Sequence, residues 1–107
     1  MVQPQAYCVS EGEGLPVVFV HGMGVDHRSL MLLDEAFADA AVRRIYLDLP
    51  GFGRTPALPE TACGLPEMAD WLQAAIDDLA GASAPFALVG NSMGGALVRE
   101  VLAREPA

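Results

Sequence analysis

Apolar positions along the chain change their spacing several times, from strand-like runs to helix-like stripes. Three short runs are continuously apolar, as in strands that are buried on both faces: residues 17–20, 45–47 and 86–89. A further strand is predicted at residues 7–10. The glycines of segment 11–14 predict a turn, and we expect it to join this strand to the next one as a hairpin.

Other segments place apolar residues three and four positions apart, which is the spacing of one helix face. The predicted helices are residues 28–38, 66–80 and 93–104. The side chains expected to face the sheet are Leu30, Leu33 and Phe37, then Met68, Leu72, Ala75, Ile76 and Leu79, then Leu97, Val98, Val101 and Leu102. Pro66 suits a first helical position and Gly81 a helix stop. The alternation predicts an α/β fold with a mostly parallel sheet flanked by helices.

Composition narrows the class of protein. The chain has 107 residues, of which 52% are hydrophobic and 19% charged, so it has room for one folded domain and no more. Its formal net charge is −8, and all six basic residues are arginines that form no cluster larger than the adjacent pair Arg43 and Arg44, which excludes a nucleic-acid surface. Neither a signal peptide nor a membrane span is apparent, so we expect a cytoplasmic protein.

Cysteine usage points to neither a disulfide framework nor a metal site. Cys8 and Cys63 are too few for the first and lack the ligand spacing of the second, so we predict two buried thiols and no metal.

The most specific chemical signal is the sequence GNSMG at positions 90–94, a G-x-S-x-G motif where an apolar strand turns into a helix. Such a sharp turn projects the hydroxyl of Ser92 away from the sheet and requires glycine at the flanking positions Gly90 and Gly94. The helix that follows points its unpaired N–H groups toward the space beside Ser92. An alternative interpretation makes Ser92 an ordinary helix N-cap.

A second motif, HGMG at positions 21–24, follows another apolar strand. Its glycine-containing loop can offer a further backbone N–H to an oxyanion. His21 lies at the strand end and could also act as a general base.

At these residues the chain resembles the α/β-hydrolase family. In that family a strand, an H-G loop, a strand, a D-x-P-G-x-G loop, a strand and the nucleophile elbow occur in this order. The third landmark is the sequence DLPGFGRT at positions 48–55, which in this family lies near the mouth of the active site. The resemblance spans nearly the whole chain.

The resemblance implies that Ser92 is the nucleophile and that the backbone N–H groups of Met93 and Met23 form the oxyanion hole. His21, Gly22, Gly90 and Gly94 are then supporting residues of the motifs, with His21 fixing its loop by hydrogen bonds. The implied reaction is hydrolysis of a carboxylic ester, thioester or lactone on a small acyl substrate, without a cofactor. Relatives that open epoxides or remove halide use aspartate at the elbow, whereas some with the same GNSMGG elbow cleave carbon–carbon bonds, so that alternative stays open.

The sequence departs from the family pattern after the elbow. A triad needs an acid and then a histidine after the serine, and no histidine follows Ser92. We therefore expect residues 1–107 to be the N-terminal portion of a single hydrolase domain that lacks its cap and C-terminal part, and to be inactive alone. The alternative is a non-catalytic binding module. The apolar run 86–89 is expected at an edge of the sheet, where a missing neighbour would leave it uncovered.

Five further residues are expected to have structural roles or to face solvent. Asp26 is predicted to cap the first helix with His27 facing solvent, and Asp48 is predicted to pair with Arg54 across the 50–53 turn. Trp71 is expected to pack against a neighbouring element.

Overall fold

The computed structural model describes residues 4–81 and 85–104, which form one four-stranded sheet with helices on both faces. The strands are β1 (Cys8–Glu11), β2 (Leu15–Val20), β3 (Val42–Leu47) and β4 (Ala87–Gly90). The helices are α1 (Arg28–Met31), α2 (Leu65–Ala80) and α3 (Met93–Arg104), with 3₁₀ turns at Asp34–Phe37 and Glu60–Ala62. The sheet order is β1-β3-β2-β4, in which β2 is parallel to both neighbours and β1 is antiparallel to β3. The predicted mostly parallel α/β fold is confirmed.

Side chains alternate across the sheet and build a core on each face. Val18 and Val20 point toward α2 and α3, whereas Val17 and Phe19 point toward α1. The larger core is closed by Trp71, which is almost fully buried, as expected, and donates its indole N–H to the carbonyl of Pro4 at 2.7 Å.

The predicted hairpin between the first two strands is wrong. β1 pairs with β3, with Cys8 opposite Leu47, and β2 lies on the other side of β3. The turn after β1 therefore carries the chain across the position of β3 and not into a strand beside β1. The glycines Gly12 and Gly14 of this turn do adopt positive φ angles, of 79° and 122°.

The predicted helix 28–38 is also wrong as a single element. It ends after Met31, and a 3₁₀ turn follows that places the Asp34 carboxylate against β3. There Arg44 Nε donates to Asp34 at 2.9 Å and the Tyr46 hydroxyl donates at 2.7 Å. Leu33, expected to be buried, is therefore exposed.

The other two helices match the predicted spans, with small corrections on their faces. Leu102 is exposed, whereas Leu97, Val98 and Val101 are buried as expected. Cys63 is exposed rather than buried, because it lies on the loop before α2. Among the residues that the structure describes, every helix is too short or too polar to cross a bilayer.

Candidate active site

The three loops that carry the sequence motifs meet at one edge of the sheet. Val20 is paired with Leu47 on one side and with Gly90 on the other, so the parallel strands β2, β3 and β4 end level with one another. The loops that leave these strands are therefore neighbours. They lie at the carboxyl ends of the strands, where ligands bind in parallel α/β sheets.

Ser92 lies in a strained turn between β4 and α3. Its φ angle is 58°, and it is the one non-glycine residue with positive φ in the described part of the chain. A serine in the left-handed region is costly, and such strain clusters at functional sites. Its side chain is exposed at the tip of the turn.

The two glycines that flank this turn are required by close backbone packing. A Cβ atom on Gly90 would lie 2.6 Å from the carbonyl oxygen of Gly94, and one on Gly94 would collide with the carbonyl oxygen of Val20. Gly95 differs, since a Cβ there would meet its nearest atom at 3.5 Å. The strand and the helix thus approach as closely as a G-x-S-x-G elbow requires.

The H-G loop packs directly against this turn. A Cβ atom on Gly22 would lie 3.2 Å from Ser92 Cβ and 3.7 Å from Ser92 Oγ. The Asn91 N–H donates to the carbonyl of Val20 at 3.1 Å and extends the β2–β4 ladder into the turn. The structure therefore brings the two motifs together at Ser92.

His21 is fully buried and has a partner for each ring nitrogen. Its Nε2 accepts the backbone N–H of Leu49 at 2.9 Å, so this nitrogen carries the lone pair. The proton then resides on Nδ1, which donates to the carbonyl of Gly22 at 2.7 Å. His21 thus joins the H-G loop to the loop after β3.

Asp48 is a second buried anchor of these loops. Its Oδ2 accepts the N–H of Arg54 at 2.9 Å, and its Oδ1 accepts the N–H of His27 at 2.7 Å. A Cβ on Gly53 would collide with the same carboxylate. The turn at positions 50–53 is therefore held by Asp48 from inside.

Two expectations about this region are corrected. His27 does not face solvent, because its Nδ1 lies 2.8 Å from Asp48 Oδ1 and its side chain is only 13% exposed. Arg54 is bound to Asp48 through its backbone alone, while its guanidinium lies over the ring of Tyr7, 5.3 Å from the centroid. The His27–Asp48 and Arg54–Tyr7 contacts join residues more than 20 positions apart, and no local sequence pattern signals them.

Ligand atoms of Asp26, His27 and Asp48 lie within 4.8 Å of one another, so this group could be considered for a metal. Each carboxylate already has partners within the chain. Arg28 donates two hydrogen bonds from its guanidinium and one from its backbone N–H to Asp26, and these lower the pKa of that carboxyl to about 2. The cluster is thus accounted for by hydrogen bonds.

Beside the elbow lies an open cavity of about 340 Å³. Its apolar walls come from the H-G loop, the loop after β3, α2 and the start of α3: Met23, Phe52, Leu58, Met68 and Met93. Glu60 and Cys63 also line it. Met23 and Met93 are the residues predicted to supply oxyanion donors, and in the described part of the chain neither N–H donates to a protein acceptor. The contribution of loop 57–63 to this cavity was missed, because those residues carry no motif.

Neither histidine is placed to act on Ser92. Within residues 4–81 and 85–104, Ser92 Oγ makes no hydrogen bond to an imidazole, and the contacts of His21 and His27 hold loops instead.

Comparison with known proteins agrees with this geometry. A model of the alpha/beta hydrolase family matches residues 17–106. A protein of Mycobacterium phage D29 named as a non-heme haloperoxidase is 36% identical over 95 residues, which are 89% of this chain and 33% of that protein. A pimeloyl-[acyl-carrier protein] methyl ester esterase of Legionella pneumophila is 33% identical over 96 residues, which are 90% of this chain and 35% of the esterase.

Among solved structures, an alpha/beta superfamily hydrolase from Oenococcus oeni superposes with a TM-score of 0.82 at 31% identity. The match covers 92% of this chain and 36% of that one. The chain thus spans about a third of the length of the curated relatives it matches.

Proposed function

The chain belongs to the alpha/beta hydrolase family, and on this premise we propose that it carries the nucleophile and the oxyanion hole of an acyl hydrolase. The substrate class is a small molecule with a carboxylic ester, thioester or lactone group. The observation that carries the proposal is Ser92, held at a φ of 58° with Gly22 of the H-G loop packed against it.

In the proposed reaction, Ser92 Oγ attacks the carbonyl carbon and its proton passes to a general base. The carbonyl oxygen becomes an oxyanion that the N–H groups of Met23 and Met93 stabilise. The carbon–oxygen or carbon–sulfur bond to the leaving group then breaks, and the leaving group takes the proton. Water hydrolyses the resulting acyl-enzyme and restores the serine.

The proposal requires a base and an acid from outside these 107 residues. No histidine follows Ser92, and His21 uses both ring nitrogens for structural hydrogen bonds. A serine at the elbow supports acyl transfer over epoxide opening, since the family uses aspartate for the latter.

The test is hydrolysis of a panel of neutral esters by the protein in its full gene-encoded length. We expect Ser92→Ala to lower kcat by roughly 10⁴-fold or more. Ser10→Ala is the matched control, because Ser10 is an exposed serine on β1. Equal turnover by the Ser92→Ala protein would contradict the proposal.

A second candidate is a non-catalytic binding module of the same fold. It is favoured by one observation, the lack of a hydrogen bond between Ser92 and a histidine within the described residues. Ligand binding without ester turnover by the full-length protein would identify this function instead.

A further inference from the structure

The cavity beside Ser92 is small and is lined mainly by apolar side chains. Its volume of about 340 Å³ lies near the lower end of the roughly 300–1,000 Å³ of ligand pockets. This space suits one short branch of a substrate rather than a large ligand.

Three of the chain's five methionines, Met23, Met68 and Met93, contribute to the walls. Methionine side chains are unbranched and adapt to irregular shapes. The walls can therefore accommodate apolar groups of different shapes. Each methylene of the substrate that fits the cavity is expected to improve kcat/KM roughly fourfold.

The charge on the wall of the cavity is negative. Glu60 is the one charged residue that lines it in the described part of the chain. The arginine nearest in the loop, Arg54, directs its guanidinium to the ring of Tyr7 instead. A carboxylate that entered here would lose part of its water against the apolar walls, would face the solvent-exposed Glu60, and would meet no cation among the described residues that line the cavity.

Building on the acyl-transfer function proposed above, we propose that this cavity takes the acyl chain of an uncharged, apolar substrate. Glu60 is then a specificity-determining residue that selects against acyl groups ending in a carboxylate.

The kinetic test compares methyl hexanoate with monomethyl adipate, which have six-carbon acyl chains and differ in the terminal carboxylate. We expect the full-length protein to prefer methyl hexanoate by about tenfold in kcat/KM, because a carboxylate would lose part of its hydration against the apolar walls and would be repelled by Glu60. Glu60→Gln should reduce this preference by up to about fivefold, because the repulsion between two charges exposed to water has an effect of that size. Glu35→Gln removes an exposed charge from the 3₁₀ turn Asp34–Phe37 and should leave the preference unchanged. Equal use of the two esters, or a preference that Glu60→Gln does not alter, would overturn the inference.

A binding test separates this inference from the proposed catalysis. In the Ser92→Ala protein, iodoacetamide alkylates the Cys63 sulfur with loss of iodide and of the thiol proton, and we expect methyl hexanoate to slow this step. Cys8 lies outside the cavity, and burial raises the pKa of its thiol, so its slower alkylation is the internal control. Protection by methyl hexanoate but not by monomethyl adipate supports the cavity assignment even if no ester is turned over. The absence of protection would contradict it.

Discussion

The Nε2 atom of His21 accepts the backbone N–H of Leu49 at 2.9 Å, and this contact joins the H-G loop to the loop that follows β3. His21 and Leu49 are both fully buried, so the imidazole holds these two loops of the candidate site together from the interior. Phe52 packs edge-on against the same ring, with 5.5 Å between the centroids. The shape of the cavity beside Ser92 thus depends on a histidine that does not face it.

Replacing His21 by alanine is expected to lower the free energy of unfolding by about 1–3 kcal/mol, because the buried N–H of Leu49 loses its acceptor. Urea denaturation measures this change. If His21→Ala kept wild-type stability and lost only ester turnover, a role as general base would replace the structural role.

The elbow glycines allow a matched steric test within one helix turn. Gly94→Ala is expected to destabilise the protein by about 1–3 kcal/mol, since its new methyl group would collide with the carbonyl of Val20. Gly95→Ala should instead be neutral or stabilising by up to about 1 kcal/mol, because alanine is the better helix former and its methyl group would meet the carbonyl oxygen of Gly90 at an ordinary contact distance of 3.5 Å. Similar thermal unfolding of the two variants would contradict the close approach of α3 to the end of β2.

Ser92 itself is predicted to lower stability. A residue in the left-handed region costs about 1–2 kcal/mol that glycine does not incur. Ser92→Gly should therefore be more stable than Ser92→Ala by about 1 kcal/mol, although both variants lack the nucleophile. Equal midpoints of denaturation for the two variants would contradict the positive φ angle.

The hydrogen bonds that the half-buried Asp34 accepts predict how stability depends on pH. Hydrogen bonds from Arg44 and then from Tyr46 lower the pKa of Asp34 below its ordinary value of 3.8. The folded state therefore binds this proton more weakly than the unfolded state, and the stabilisation is present above pH ~4 and lost as the pH falls further. Between about pH 4 and about pH 2, the free energy of unfolding should change less steeply with pH in Asp34→Asn than in the wild type.

Tyr46 acts at the other end of the pH scale. Burial, followed by the neighbouring Asp34 carboxylate, raises its pKa above the ordinary 10.0. The folded state holds this proton more tightly, so the contribution is complete below about pH 10 and is lost as the pH rises through the folded-state pKa. Spectrophotometric titration at the tyrosinate absorbance should show that the Tyr46 phenol ionises at higher pH in the folded protein than in the urea-unfolded protein. Loss of this difference in Tyr46→Phe identifies the residue, and identical titration of the folded and unfolded wild type would contradict the arrangement.

The elements that were predicted correctly are those specified by residues that lie close together in the chain. The apolar run before Ser92, the glycines around it and the stripe of the following helix all lie within one short segment, and they specify the elbow together. The pairing of β1 with β3 could not be found this way, since Cys8 meets Leu47 only after β2 and α1 have intervened.

The same distinction explains the site residues. Asp34 ends the predicted first helix because it binds Arg44 and Tyr46, and no local pattern signals such partners. His27 and Asp48 are 21 positions apart, and the sequence placed the histidine in solvent although it lies against the carboxylate. Glu60 and Cys63 reach the cavity only because the loop after β3 folds back toward Met93.

Covalent labelling shows whether Ser92 is an activated nucleophile. The full-length protein would be treated with a fluorophosphonate, digested, and its labelled peptide mapped by mass spectrometry. We expect a single adduct on the Ser92 oxygen, formed with loss of fluoride and of the hydroxyl proton and absent from the Ser92→Ala protein. Labelling of another serine, or equal labelling after Ser92→Ala, would contradict it.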